Sequence, residues 1–549
     1  MKGYEAAARA FVAEGVTSVF GLMGDGNMYW VAAMAADPVV SVIHARHENA
    51  AVAMADGWAR ATGDVGVASV TCGPGLTQIG TSLAASVQHR TPLVIFTGDT
   101  PSTASFHLQA FGQRGFVEST GAVFVASRSV DGILDDIQRA FLRARRDQIP
   151  VVLSVPYDLQ DKSFEWGADY VPSRELMARP AVTMPAPEAI EQLAEELAGA
   201  ERPVVLAGRG AVAAGAHDEL VALADRIGAV LVTSLRAKGY FDGDARNLGV
   251  AGAFSADQAR ELLVDSDYVV GFGARLGYFT TEGGYLFPDA RIAQVDLAPA
   301  GLIDGQRVAD LAITSDARLA AQALLGALDD RTDAGHGLSQ DAIAASRTTF
   351  APVPPEVAPG ELDPNAVMDA INSAVPPEWR VVIGAGHFWN FAVDRLTGRP
   401  PGSYLYTYDF GVIGQGLPTA MGVAVAEPDR RVVLVEGDGS MVMNIQELES
   451  LVRHQIPLLA LCINDGAYGA EVHKMRSVGV SGDDAVFGRP DLASVAQAFG
   501  ARAATVTDID QLTKVIGEFA ANPAPTVVDV HVSADVISRQ YRRLFFGNA

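Results

Sequence analysis

Arg431-Val432-Val433-Leu434-Val435-Glu436-Gly437-Asp438-Gly439, followed downstream by Leu458-Leu459-Ala460-Leu461-Cys462-Ile463-Asn464-Asp465-Gly466, decides how this chain folds. Each stretch is a strand-sized apolar run that switches abruptly to Gly, Asp or Asn. Runs apolar on both faces read as strands buried in a parallel sheet. A helical pattern over Ile445–His454 joins them into a strand-helix-strand unit. In open α/β sheets, ligands collect at the carboxyl ends of strands, against helix N-termini. Gly437 and Gly439 let the backbone approach a diphosphate closely. Asp438 and the Asn464 carboxamide suit Mg²⁺, which takes oxygen ligands and binds together with phosphates, and the Gly466 carbonyl supplies a third ligand. Gly, Asp and Asn are also the commonest turn residues. The order of strand, triplet, helix, strand and Asn therefore carries the argument, not the triplet.

A second Gly-Asp-Gly, at Gly24-Asp25-Gly26, tests this. Asn49 follows at a similar distance but opens a helix instead of ending an apolar strand. Those residues, with Asn27 and Met28, read as a strand-to-helix loop facing a substrate pocket.

Working outward, strands and helices alternate along the whole chain, the pattern of doubly wound parallel sheets. Residues 1–160 form one α/β unit, with Val65–Val70 and Leu93–Thr97 among its strands. A Pro-bearing join (Pro172, Pro180, Pro185, Pro187) leads to a second unit over 189–328. A further polar join over 329–362, with Pro352, Pro354, Pro355 and Pro359, leads to a third over 363–535. The 549 residues thus divide into three domains of ordinary size.

Composition narrows the function class. Hydrophobic residues make up 49% and charged residues 19%, which describes a chain with ample core. The net charge of −24 argues against nucleic acid or an anionic membrane as partner. No secretory signal or membrane-spanning run is evident. Cys72 and Cys462 both sit in apolar runs, so two buried thiols in a cytoplasmic protein are expected.

The other informative stretch is His47-Glu48-Asn49-Ala50-Ala51-Val52-Ala53-Met54-Ala55-Asp56-Gly57, a carboxylate at the head of an Ala-rich helix. Together with Thr71-Cys72-Gly73-Pro74-Gly75, Gly411-Val412-Ile413-Gly414-Gln415-Gly416 and Gly437–Asn444, it resembles the thiamine diphosphate enzymes related to acetolactate synthase, benzoylformate decarboxylase and benzaldehyde lyase. The resemblance covers nearly the whole chain. It implies three α/β domains in the order pyrimidine-binding, central and diphosphate-binding. It also implies a homodimer or homotetramer in which the glutamate helix of one subunit faces the diphosphate site of another.

By that resemblance, Glu48 hydrogen-bonds a ring nitrogen of the cofactor. Gly73, Pro74, Gly75, His387, Gly411, Ile413, Gly437, Asp438, Gly439, Ser440, Asn464, Gly466, Ala467 and Tyr468 hold the cofactor, with Asp438, Asn464 and Gly466 on Mg²⁺. Ile413 sits where an apolar residue enforces the cofactor's bend. Gln113, with Gln109 as a competing match, lies near the reacting carbon, and His107 or His89 transfers protons. Arg114 and Lys474 are candidates for a substrate carboxylate, with solvated surface charge as the alternative. Central-domain turns at Gly208–Gly210 and Gly271–Arg275 resemble nucleotide loops, but a lone Gly-x-Gly is weak evidence and FAD is not predicted.

The implied activity is a carboligase that decarboxylates a 2-oxo acid, pyruvate first among them, and adds the remaining fragment to a second carbonyl compound. Two alternatives are a non-ligating decarboxylase or acyloin lyase, and a catalytically silent binding protein on the same fold.

Overall fold

The computed structural model describes residues 1–167, 170–178, 181–299, 308–328, 343 and 357–547. Pro180 and most of the expected second join, including Pro352, Pro354 and Pro355, lie outside the described residues.

Three six-stranded, all-parallel sheets follow one another along the chain. The first runs Ser41–His44, Ser18–Gly21, Gly66–Val70, Leu93–Asp99, Pro150–Pro156, Val123–Ala126. The second runs Leu311–Thr314, Arg291–Asp296, Tyr268–Phe272, Pro203–Ala207, Val230–Thr233, Asn247–Val250. The third runs Tyr404–Tyr406, Arg380–Ile383, Val432–Gly437, Leu458–Asn464, Thr526–His531, Arg502–Val506. Helices flank each sheet, as the alternating pattern required. Strands Gly66–Val70, Pro203–Ala207 and Leu458–Asn464 are buried along their whole length, which is why their sequences show no two-residue alternation.

Each sheet has a switch point, where the connections from two adjacent strands leave in opposite directions, and a crevice opens at the carboxyl ends of those strands. In the first sheet the switch point lies between Ser18–Gly21 and Gly66–Val70, which feed Gly24–Asn27 and Thr71–Gly75. In the second, Pro203–Ala207 and Tyr268–Phe272 feed Gly208–Gly210 and Gly273–Arg275. In the third, Arg380–Ile383 and Val432–Gly437 feed Gly384–His387 and Asp438–Ser440. The Gly-rich turns singled out from the sequence therefore occupy all three switch points.

Helix Glu48–Thr62 of the first unit packs against helix Gly416–Ala426 of the third. The contact is almost backbone on backbone. A Cβ on Gly57 would run into the Thr419 carbonyl oxygen, and one on Gly422 into that of Met54. Gly422→Ala should therefore cost about 2 kcal/mol through overpacking, even though Ala is the better helix former by ~1 kcal/mol. A lower urea midpoint would register the loss, and an unchanged midpoint would refute close packing here.

Two elements differ from the sequence reading. The expected helix Ile445–His454 spans Glu447–Arg453, and an unexpected short helix, Asp438–Met443, precedes it; Asn444 lies between the two and donates to the Gly414 carbonyl. The chain also carries a C-terminal helix, Arg539–Phe546, beyond the expected end of the third unit. Ser538 caps it, accepting from Tyr541 N at 3.3 Å. Arg539 pairs with Asp394, and Arg543 reaches Asp257 of the second unit at 3.2 Å.

The first Pro-bearing join is not a free tether. The buried Glu14 carboxylate accepts from Ser173 N at 2.8 Å and Tyr170 Oη at 2.7 Å while pairing with Arg145 at 2.7 Å, which docks that segment on the first unit.

Candidate active site

Val432–Gly437 ends at the N-terminus of helix Asp438–Met443, and Leu458–Asn464 ends beside it. Asp438 and Asn464 are both buried. Asn464 donates through Nδ2 to Asp529 Oδ1 at 2.8 Å, which orients its carboxamide and turns Oδ1 inward. The Gly466 N–H is shared between Asp438 Oδ2 at 3.0 Å and Asn464 Oδ1 at 3.2 Å. The two side-chain oxygens expected on a metal thus converge on one point.

Burial, and then the neighbouring Asp465, raise the Asp438 carboxyl well above the usual carboxylate range. A pocket that holds two nearby carboxylates out of water favours a cation there. Among the described residues no cluster of three His, Cys, Asp or Glu competes as a metal site. Gly466 departs from expectation. Its carbonyl already accepts from Phe487 N and Gly488 N, both at 3.0 Å. Two N–H donors take up both lone pairs, so a cation would have to displace one of them to use this oxygen.

The glycines form a cradle without room for side chains. A Cβ on Gly437 would stand 2.8 Å from the Phe388 ring, and one on Gly439 2.6 Å from the Tyr468 ring. These positions leave bare backbone facing the helix N-terminus, the arrangement that suits a diphosphate. Ser440 Oγ accepts from Gly414 N at 2.6 Å, tying the 411–414 segment to the same helix. Phe410 and Gly411 both take positive φ, 66° and 68°, which turns the chain so that Ile413 lines the cavity.

That cavity is about 1420 Å³. Asp438, Gly439, Ser440, Ala467, Tyr468 and His387 line it from the third unit. Arg209, Gly210, Gly273 and Arg275 line it from the second, and the C-terminal helix adds Gln540 and Tyr541, residues with no counterpart in the sequence reading. His387 accepts from Ser538 N through Nε2 at 3.1 Å, and burial, then His473, push it well below the usual histidine range. It is a neutral acceptor that anchors the start of the C-terminal helix.

Glu48, Gly73, Pro74 and Gly75 do not line this cavity; they form a separate group at the first sheet's switch point. Glu48 is the first residue of its helix, and a Cβ on Gly75 would lie 3.3 Å from Glu48 Oε1. Gly73 has φ 62° and packs on Gln109. Within one chain, Glu48 does not line the cavity that Asp438 lines.

Gln113 does not stand free beside them. It is buried, and its Nε2 donates to the Gly98 carbonyl at 3.3 Å and to Ser154 Oγ at 3.4 Å, because it opens helix Gln113–Ser119 with its side chain turned into the sheet. His107 is half-buried, with Nδ1 accepting from Gln109 N at 3.2 Å and its ring edge-on to Tyr157. Arg114 pairs with Glu118 at 3.0 Å on the surface, away from the cavity, whereas Lys474 lines the cavity and lies 3.7 Å from Glu471. Cys72 and Cys462 are buried free thiols, as expected.

His89 is structural. It lies 3.2 Å from both Asp56 and Asp409, in a network with Arg60 and Arg236 that joins all three units. Burial alone would raise the Asp56 carboxyl, but His89 and Arg60 outweigh it and hold it well below the usual range. A depressed carboxyl contributes its full stability above its unfolded value of 3.8 and loses it as pH falls. Asp56→Asn should cost about 3 kcal/mol at pH 7, and the gap in melting temperature from the parent should shrink below pH 4. A gap that does not vary with pH would show that charge is not what Asp56 contributes.

Comparisons with known proteins agree with this architecture. Residues 1–117 match the family described as thiamine pyrophosphate enzyme, N-terminal TPP binding domain; residues 190–324 match its central domain and 384–530 its C-terminal TPP binding domain. An acetolactate synthase large subunit of Parasynechococcus marenigrum is 31% identical over 97% of this chain and 88% of its own length. A probable acetolactate synthase large subunit of Methanocaldococcus jannaschii is 29% identical over 96% and 92%, and the isozyme 3 large subunit of Escherichia coli 28% over 91% and 89%. Among the described residues no helix is long and apolar enough to cross a membrane. With all three domains matched in order and the glycine turns of that family at its switch points, the chain belongs to the thiamine pyrophosphate (thiamine diphosphate) enzymes of the acetolactate synthase type.

Proposed function

We propose that this enzyme is a thiamine diphosphate- and Mg²⁺-dependent carboligase that decarboxylates pyruvate and joins the two-carbon remainder to a second carbonyl compound. The observation that carries the reading is the convergence of Asp438 and Asn464 oxygens at a helix N-terminus lined by bare glycine backbone. The names of the acetolactate synthase relatives supply the substrate class.

In this reading, residues 363–535 take the diphosphate end, residues 1–160 the pyrimidine end, and 189–328 lie between. When bound, thiamine diphosphate supplies the electron sink that allows a 2-oxo acid to lose carbon dioxide. Asp438 and Asn464 would hold Mg²⁺, which binds through oxygen ligands together with phosphates. Ile413 supports the cofactor's middle from the cavity wall. The Glu48 carboxyl holds a proton against the pyrimidine, with the Gly73–Gly75 turn as its platform. Because the Glu48 group and the Asp438 cavity are separate within one chain, we assign each complete site to two subunits of a homodimer or a larger homo-oligomer. No flavin is assigned.

The test is pyruvate turnover with added cofactor and Mg²⁺, following carbon dioxide and identifying products by mass spectrometry. Carbon dioxide with an acyloin or acetolactate supports the carboligase. Carbon dioxide with free acetaldehyde alone would make the enzyme a decarboxylase. No turnover of pyruvate or of bulkier 2-oxo acids, in a sample shown to bind the cofactor, would refute the proposal.

A further inference from the structure

Glu48 is half-buried, and its carboxylate has no hydrogen-bond or ion-pair partner among the described residues. Its aim is therefore set by its backbone, at the first position of helix Glu48–Thr62. The third unit grips that backbone on both sides. Before Glu48, the buried Glu447 carboxylate accepts from Arg46 N at 3.0 Å. After it, a buried polar bridge reaches Asn49.

Ser82, on helix Gly80–His89, clips Asn49 twice. Its N–H donates to Asn49 Oδ1 at 2.9 Å, and its hydroxyl donates to the Asn49 carbonyl at 2.7 Å. A carbonyl can only accept, so the one hydroxyl proton is committed to Asn49 and Ser82 Oγ is left as an acceptor. Gln415 Nε2 donates to it at 2.8 Å. The direction of every bond in the bridge is thus decided. Gln415 and Ser82 are 3% and 1% exposed, so bulk water does not replace a lost partner there. Gln415 is itself firmly mounted. Gly414, the residue before it, donates to Ser440 Oγ at 2.6 Å and accepts from Asn444 Nδ2 at 2.5 Å, both at the helix that Asp438 opens. The same segment carries Ile413 into the cavity that Asp438 lines. One stretch of chain therefore reaches two different sites of the oligomer: Ile413 serves the site built on its own Asp438, and Gln415 reaches, through Ser82 and Asn49, the site that its own Glu48 completes.

We propose that Gln415 and Ser82 are positioning residues for Glu48, and that their bridge fixes the start of its helix so that the carboxylate meets the cofactor. The inference rests on the proposed carboligase reading and on its two-subunit sites.

The test uses the holoenzyme with thiamine diphosphate, Mg²⁺ and pyruvate. Gln415→Leu and Ser82→Ala should each lower kcat by about 10-fold through misplacement of Glu48, with KM unchanged. The double variant should be no worse than either alone, because both act through one bridge. In a Glu48→Gln background, Gln415→Leu should cost nothing further. Cofactor affinity, read by isothermal titration, should stay at the parent value. Subunit exchange then tells which site Gln415 serves. Equal mixing of Gln415→Leu with Asp438→Ala should give about a quarter of the parent activity, and mixing with Glu48→Gln only about a twentieth. Equal recoveries, or the reverse ranking, would place the action of Gln415 beside Ile413 in its own chain's cavity and overturn the inference. A parent kcat in Gln415→Leu, or the same loss when Glu48 is already replaced, overturns it too. The carboligase reading stands in each of these cases. If the parent enzyme binds cofactor and turns over no 2-oxo acid, both are overturned.

Discussion

Asp438→Ala abolishes turnover and weakens Mg²⁺-dependent cofactor binding by at least about 100-fold, since even residues that merely support a metal ligand are worth 10- to 100-fold. The expectation follows from how few donors the site offers. Asp438 and Asn464 are the side-chain oxygens that converge there, and Asn464 carries no charge. Removing Asp438 leaves one neutral amide, a carbonyl already engaged by two N–H groups and the neighbouring Asp465, whose Oδ1 already accepts from Ala467 N. The fold should tolerate the change. The Gly466 N–H keeps Asn464 Oδ1 as acceptor, and the variant loses a buried carboxyl whose ionised form burial disfavours. Without cofactor the variant should therefore melt no lower than the parent. Isothermal titration with thiamine diphosphate at several Mg²⁺ concentrations, beside a melting curve, separates the two effects. Normal cofactor affinity in a folded variant would remove Asp438 from the metal site.

Glu48→Gln is the second large effect. It keeps the size of the side chain and its place at the head of the helix but removes the group that holds a proton, and turnover should fall by about 10²- to 10⁴-fold, as for other lost acid–base groups. Cofactor affinity should change far less, because the diphosphate end is untouched. The two inactive variants should then rescue each other. In a two-fold dimer with sites built across the interface, a mixed pair has one site with both defects and one with neither, so equal mixing should restore about a quarter of the parent activity. Native mass spectrometry verifies the subunit exchange. Exchange without recovered activity would mean that each site is built within one chain.

The sequence made the third unit legible because its signals are local. An apolar run ending in Gly437-Asp438-Gly439, and another ending in Asn464, need no knowledge of the rest of the chain to be read as strands delivering polar groups to one sheet edge. The same holds for Glu48 at its helix start. Where the reading went astray, the deciding contact was distant. The short helix Asp438–Met443 was missed, and Asn444 at its end bonds Gly414, thirty residues away. Gln113 resembled the reactive glutamine by its letters, and Gly98 and Ser154 draw its amide inward. The C-terminal helix was missed because its anchors, Asp394, Asp257 and His387, are contributed by other elements.

What the sequence alone determined is the α/β class, the three units, the donors at Asp438 and Asn464 and the carboxylate at Glu48. Strand period, turn chemistry and helix starts are set by residues within a few positions of one another. The tertiary structure decided which side chains remain free to meet a ligand. It placed the Gly-rich turns at three switch points, spent Gln113 and His89 on internal bonds, and kept Glu48 apart from the cavity that Asp438 lines. A hydrogen bond consumes a donor irrespective of how far along the chain its partner lies, so availability for chemistry is a property of the folded chain and not of any local stretch.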